Sequence, residues 1–130
     1  MVIKCILAWE DAKIAAETGI DAIIVSNHGG RADEAGRSTI ESLPEIIKVS
    51  GNMPVLIDSG FRRGTDIVKA LCMGAKGVAV GRPYLWGLGA FGQPGVERVL
   101  QILRTELKVA MQQVGAPSLK DLKASMVLHV

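Results

Sequence analysis

Val55-Leu56-Ile57-Asp58-Ser59-Gly60-Phe61-Arg62-Arg63-Gly64 runs from a short apolar strand directly into an acid, glycines and two arginines. The same pattern occurs on either side of it. Upstream, Ala22-Ile23-Ile24-Val25 leads into Ser26-Asn27-His28-Gly29-Gly30-Arg31; downstream, Gly77-Val78-Ala79-Val80 leads into Gly81-Arg82-Pro83. Short, almost continuously apolar strands favour a parallel sheet covered on both faces. Right-handed crossovers then bring the three polar loops to one edge of that sheet.

The rest of the chain reads as alternating strands and helices. A first strand is expected over Val2 to Leu7 and a helix over Glu10 to Glu17, ended by Gly19. The second strand covers Ala22 to Ser26. A polar loop from Asn27 to Arg37 follows, and Ser38 or Thr39 caps the next helix with Glu41 or Glu45 in its early turns. That helix carries Ile40, Leu43, Ile46, Ile47 and Val49 on one face, with Pro44 expected in its first turns. A third strand over Val55 to Asp58, a helix from Gly64 to Met73 and a fourth strand over Gly77 to Val80 come next. A longer helix is expected from about Gly95 to Val114, stopped by Gly115-Ala116-Pro117, and the tail forms at most one short helix.

Two α/β architectures fit this order: an open doubly wound sheet, or part of an eight-stranded (β/α)8 barrel of the TIM type. A dinucleotide-binding sheet should carry Gly-x-Gly-x-x-Gly after its first strand. Leu7-Ala8-Trp9-Glu10 stands there, with no glycine. The glycines and arginines instead follow the third and fourth strands, as the phosphate site follows the last strands of a barrel. The chain is therefore expected to cover approximately the last four βα units, a half barrel spanning residues 1–130.

Composition narrows the function classes. With 130 residues, 48% apolar and 22% charged, the chain suits one globular domain. A net charge of +2 with no basic arm gives no reason to expect nucleic acid. Apolar stretches fall short of the roughly 20 residues of a membrane span, and no secretory signal is evident. A cytoplasmic location is expected, with peripheral membrane association left open. Cys5 and Cys72 read as buried free thiols of a reducing compartment. Neither has the neighbours a zinc site needs, so no metal is expected. His129 reads as a tail residue, and Trp9, Trp86 and Phe91 as packing residues of the core or of subunit contacts.

Histidine is the side chain best suited to moving protons near neutral pH. Arginine grips a carboxylate through two parallel hydrogen bonds. His28 and Arg31 on one loop therefore suggest a substrate that carries a carboxylate and must lose a proton. Each residue alone has a plain structural reading, and so do Lys4 at a strand end and the Arg62-Arg63 pair. Their joint placement at successive strand ends is what points to an enzyme.

From Val2-Ile3-Lys4 to about Leu122 the chain resembles the C-terminal half of the FMN-dependent 2-hydroxy-acid oxidases and dehydrogenases. That family includes glycolate oxidase, lactate oxidase, L-lactate dehydrogenase and mandelate dehydrogenase. The resemblance rests on Ser26 to Arg31, on Asp58-Ser59-Gly60-Phe61-Arg62-Arg63-Gly64-Thr65-Asp66 and on Gly81-Arg82-Pro83. It implies FMN as cofactor and a small 2-hydroxy acid as substrate. By the same resemblance His28 is the proton acceptor and also borders the flavin, and Arg31 clamps the substrate carboxylate. Lys4 stands beside flavin N1 and O2, where fixed positive charge stabilises the reduced cofactor. Ser26 contacts the ring; Asp58, Ser59, Gly60, Phe61 and Arg62, with Gly81 and Arg82, hold the ribityl chain and phosphate. A terminal phosphate site without a dinucleotide fingerprint also implies FMN in preference to FAD.

Three departures stand out. Cys5 occupies a position where the family usually has glycine, and a side chain there is expected to crowd the sheet or the cofactor. Ser59 replaces a frequent glycine, and Arg31-Ala32-Asp33-Glu34 differs from the common loop. The family's other half, implied to carry an aspartate that orients the histidine, is expected to lie outside this chain. Four strands alone would leave two open edges and one apolar face. Three functions therefore compete: an FMN oxidoreductase completed by an N-terminal half, an inactive fragment that retains a flavin or phosphate site, and an assembly module or homo-oligomer pairing through sheet edges.

Overall fold

The computed structural model describes residues 1–31 and 36–128. Four strands, β1 (Val2–Ile6), β2 (Ala22–Val25), β3 (Val55–Ile57) and β4 (Gly77–Val78), form one parallel sheet in the order β1-β2-β3-β4. Between and after them lie α1 (Trp9–Glu17), α2 (Thr39–Val49), α3 (Gly64–Cys72) and α4 (Arg82–Gln113), followed by two 3-10 turns, Leu119–Asp121 and Ala124–Met126. Each strand is thus added beside the one before it. A doubly wound sheet would reverse direction part-way, with helices on both faces, and this sheet does not reverse.

Sequential winding with right-handed crossovers places the helices on one side, and the burial pattern follows. Ile23, Val25, Val55 and Ile57 are at most 1% exposed and pack with Ala12, Leu43 and Ile46 of the helices. The alternate residues Ile24 and Leu56 face the other way and remain half-buried. The expectation of a sheet covered on both faces is corrected accordingly: the helical core lies against one face, and β1 and β4 are the outer strands.

Local chemistry sets the element ends. The Glu41 carboxylate accepts from both the Ser38 amide (2.9 Å) and the Ser38 hydroxyl (2.7 Å), closing the first turn of α2. Pro44 lies at the sixth position of α2, deeper than expected from the sequence. At Gly64, the start of α3, a Cβ would come within 2.2 Å of the Glu106 and Leu107 backbone of α4. Glycine is what lets these two helices touch.

The largest correction concerns α4. The sequence reading begins that helix near Gly95, but it begins at Arg82, immediately after β4. Gly92 (φ 62°, ψ −144°) divides it into two arms, and the first arm folds back on the second so closely that Gly87 and Gly95 meet through their backbones. Of the two readings for the aromatics, the core one is corrected: Trp9, Trp86 and Phe91 are 41%, 56% and 76% exposed, so none belongs to the core. Cys5 is exposed, and only Cys72 is the buried thiol expected of both. His129 and Ala32-Asp33-Glu34, the part of the third departure that follows Arg31, lie outside the described residues.

Candidate functional site

The C-terminal ends of the four strands open on a single cavity of about 380 Å³, the size range of small-molecule sites. Lys4 from β1, His28 and Arg31 from the loop after β2, Asp58 to Arg62 from the loop after β3, and Gly81 and Arg82 after β4 all line it. Of the residues given a catalytic, substrate or cofactor role in the sequence, only Ser26 is off the wall. It is fully buried beneath it.

Strand β1 explains how Lys4 reaches the others. Its pairing with β2 slips between Lys4 and Ile6, and Cys5 is the extra residue, at φ 70°. The bulge lets both Ile3 and Ile6 pack against the helical core while Lys4 is aimed at the cavity. A left-handed bulge residue is ordinarily glycine, so the Cys5 departure falls on a conformation that disfavours a side chain. Lys4 Nζ donates to Ser26 Oγ at 2.8 Å and pairs with Asp58 Oδ2 at 3.2 Å. It also lies 3.4 Å from His28 Nδ1, and Cys5 Sγ lies 3.5 Å from the same nitrogen.

His28 sits at φ 58° on a turn that the sequence builds locally. Asn27 Oδ1 accepts from the amides of Gly29 (3.1 Å) and Gly30 (3.0 Å), and the His28 amide donates to Ser26 Oγ at 3.2 Å. Ser59, the second departure, also takes a left-handed backbone, φ 74°. Its hydroxyl donates to Asp58 Oδ1 (2.7 Å) and accepts from the Gly29 amide (3.0 Å). One side chain thus ties the loop after β3 to the loop after β2. Partial burial disfavours the Asp58 carboxylate, but hydrogen bonds from Ser26, Ser59 and Lys4, with the charge of Lys4, outweigh it and hold its pKa below the ordinary value.

At the other end of the cavity the wall is backbone and arginine. Gly81 caps α4, Arg82 is its first residue and Pro83 its second. Proline there wastes no donor, and the amides of the first turn stay open to an anion. A Cβ built on Gly60 or on Gly81 would meet nothing within 4 Å, so neither backbone is shielded. Arg82 Nη2 donates to the Gly29 carbonyl at 3.1 Å, joining this end to the histidine loop. Arg62 lines the cavity; Arg63 is turned away and paired with Glu106 at 2.9 Å.

A histidine, a lysine–aspartate pair and an arginine-bearing helix N-terminus thus share one rim. A family model described as FMN-dependent dehydrogenase matches residues 1–129. The chain belongs to that family. It is 49% identical, over its whole length, to an L-lactate oxidase of Nostoc sp., of which it covers 36%. It is 46% identical over 98% of its length to the 2-hydroxyacid oxidase 1 of Mus musculus, of which it covers 35%. Among solved structures, a soluble mutant of the membrane-associated (S)-mandelate dehydrogenase from Pseudomonas putida superposes with a TM-score of 0.93 at 43% identity, over 96% of this chain and 36% of that one. The chain therefore spans about a third of the length of the relatives it matches.

FMN is the cofactor of the family, and the residues present fit it. The helix N-terminus with two arginines and unshielded glycine backbone suits a terminal phosphate. The ionised Asp58 suits a hydroxylated chain, and Lys4 brings positive charge to the opposite end. Ser26 supports Lys4 and the histidine turn from below, where the resemblance implied a contact with the ring. Sequence reading missed Tyr84 and Leu85, which also line the cavity. The available signal was Arg82-Pro83, a helix-start mark read only as part of a loop.

Proposed function

We propose that the chain is the last four βα units of a (β/α)8 barrel, and supplies the FMN-phosphate grip and the proton acceptor of an enzyme that oxidises an L-2-hydroxy acid to the 2-keto acid. The observation that carries this reading is the convergence of His28, Arg31, Lys4, Asp58 and Arg82 on one cavity. The chemistry FMN supplies when bound is a two-electron sink. His28 takes the substrate proton, and Arg31 grips the carboxylate with its planar fork. Lys4 holds positive charge where the electrons arrive. Asp58 accepts a hydroxyl of the ribityl chain. Ser59, Gly60 and Phe61 wall the groove, and Arg62, Gly81 and Arg82 take the phosphate. The names of the relatives, lactate oxidase and mandelate dehydrogenase among them, support a small 2-hydroxy acid. A cytoplasmic setting is part of the proposal; among the described residues no helix is long and apolar enough to cross a membrane.

A second reading is favoured by the surroundings of His28. A base that works through Nε2 needs its proton on Nδ1, which requires an acceptor beside Nδ1. Among the described residues Nδ1 meets the Lys4 ammonium, which can only donate, and the Cys5 sulfur, a weak donor or acceptor, and no carboxylate. The ammonium favours the tautomer with the proton on Nε2. The 130-residue chain alone is then a flavin- or phosphate-binding unit, and turnover requires a carboxylate from an N-terminal half. Pairing with a second copy through β1 and β4 is the remaining form of assembly, read out by sedimentation.

The test is complementation. Mixed with the N-terminal half of a related enzyme, the chain should bleach the flavin band anaerobically with an L-2-hydroxy acid, and alone it should not. In the complemented state His28→Gln should slow bleaching by at least about 100-fold while FMN stays bound, and Arg31→Lys should mainly weaken substrate binding. Equal bleaching by parent and His28→Gln would remove His28 from its role. Titration with FMN and FAD should favour FMN; equal or tighter FAD binding would count against the phosphate assignment.

A further inference from the structure

Arg62 and Arg63 are adjacent, yet the structure gives them different partners. Arg63 is tied through Nε and Nη2 to both oxygens of Glu106, at 3.0 and 2.9 Å. That bidentate pair uses one edge of its guanidinium. The Arg62 guanidinium has no carboxylate within ion-pair distance among the described residues. Its ζ carbon instead lies 5.3 Å from the centroid of the Trp86 ring. Trp86 stands one turn beyond Arg82 on α4 and is 56% exposed. Burial does not account for a tryptophan there.

Stacking on an aromatic ring engages the face of a guanidinium and leaves its N–H donors, which lie in its plane, unused. Arg62 lies over the Trp86 ring with no carboxylate partner among the described residues, so its donors remain available. From this geometry we infer that Trp86 is a positioning residue: it holds Arg62 at the phosphate corner with its fork presented to the anion. Ion pairing, as at Arg63, would fix the side chain at the cost of those donors. Because Trp86 and Arg82 share the first two turns of α4, one helix supplies the N-terminal amides, one arginine and the platform for the other. The inference rests on the reading that this corner takes the FMN phosphate, and it adds a residue to which neither the motifs nor the cavity wall pointed.

Riboflavin lacks the phosphate, so the ratio of FMN to riboflavin affinity isolates this corner from the rest of the cleft. Both flavins are titrated into the chain, following flavin fluorescence. Trp86→Leu should lower FMN affinity about two- to fivefold, the scale of an exposed cation–π contact, and leave riboflavin unchanged. Trp86→Tyr should keep most of the parent ratio. In an Arg62→Met background, Trp86→Leu should have no further effect. A loss shared equally by FMN and riboflavin, or one that persists without Arg62, would make Trp86 merely structural and overturn the inference. A parent chain that does not prefer FMN to riboflavin would instead overturn the phosphate reading itself, and this inference with it.

Discussion

At the β1 end of the cleft, Lys4 makes its contacts with Ser26, His28 and Asp58 by side chain alone. At the β4 end, Gly81, Arg82 and Pro83 offer the first turn of a helix, and only the arginines act through side chains. The first arrangement depends on three strands being in register, because Lys4 lies 22 to 54 residues from its partners. In the second, Gly81, Arg82 and Pro83 are contiguous in sequence, and only Arg62 comes from another loop. A helix N-terminus with a neighbouring arginine forms wherever that helix forms, whereas a lysine threaded between two loops exists only in the assembled sheet. The phosphate end should therefore be the sturdier and the more chemically selective of the two.

The largest effect should separate the ends directly. Arg82→Ala should weaken FMN binding about 10- to 100-fold, the range for a hydrogen bond to a charged group, with little change for riboflavin. Lys4→Met should weaken both flavins by a similar factor. If Arg82→Ala weakened both equally, the division of labour would be wrong. Next comes the helix contact behind the loop after β3. Gly64→Ala places a methyl against the α4 backbone and should destabilise the chain by about 1–3 kcal/mol, read as a lower urea midpoint. An unchanged midpoint would mean that α3 and α4 slide apart freely.

The two left-handed side chains refine the comparison at the β1 end. Cys5→Gly should stabilise the chain by about 1 kcal/mol, because glycine takes φ 70° without the steric cost. Ser59→Gly relieves the same strain but loses hydrogen bonds to Asp58 and Gly29, so its net effect should be close to zero. A thermal melt of each variant checks the contrast. Equal stabilisation by both would mean that the Ser59 bridge contributes nothing.

The smallest effect concerns pH. The Asp58 pKa is lower in the folded chain than the ordinary value of 3.8. Its contribution to stability is thus complete above that value and is lost as the pH falls through the folded pKa. Asp58→Asn should flatten the acid limb of the stability curve below about pH 4 and leave the neutral region parallel to the parent. An acid limb of unchanged slope would show that the Lys4–Asp58 pair adds nothing.

Much of this was legible in the chain. The apolar runs before Asn27 and Asp58 have the length and β-branching of buried parallel strands, and the absence of a glycine fingerprint after β1 argues against a dinucleotide-binding sheet. The first arm of α4 was not legible. Gly87, Gly89, Gly92 and Pro94 read as helix breakers, yet Gly87 and Gly95 are glycines because two helical arms touch there. Local propensity carries no information about that contact. Cys5 and Ser59 were visible as departures, but their common cause, a left-handed backbone, was not.

The sequence by itself determined the order of strands and helices, the loops that line the cavity, and the family. These depend on periodicity and on residue types at fixed spacing, both local properties of a chain. Only the tertiary structure decided that β1 bulges at Cys5 to aim Lys4, that Ser59 bridges two loops, and that Arg62 and Arg63 part, one to Trp86 and the other to Glu106. Each of these is a meeting of residues distant in sequence. Which distant residues meet is set by register and helix packing, and neighbouring residues do not encode it.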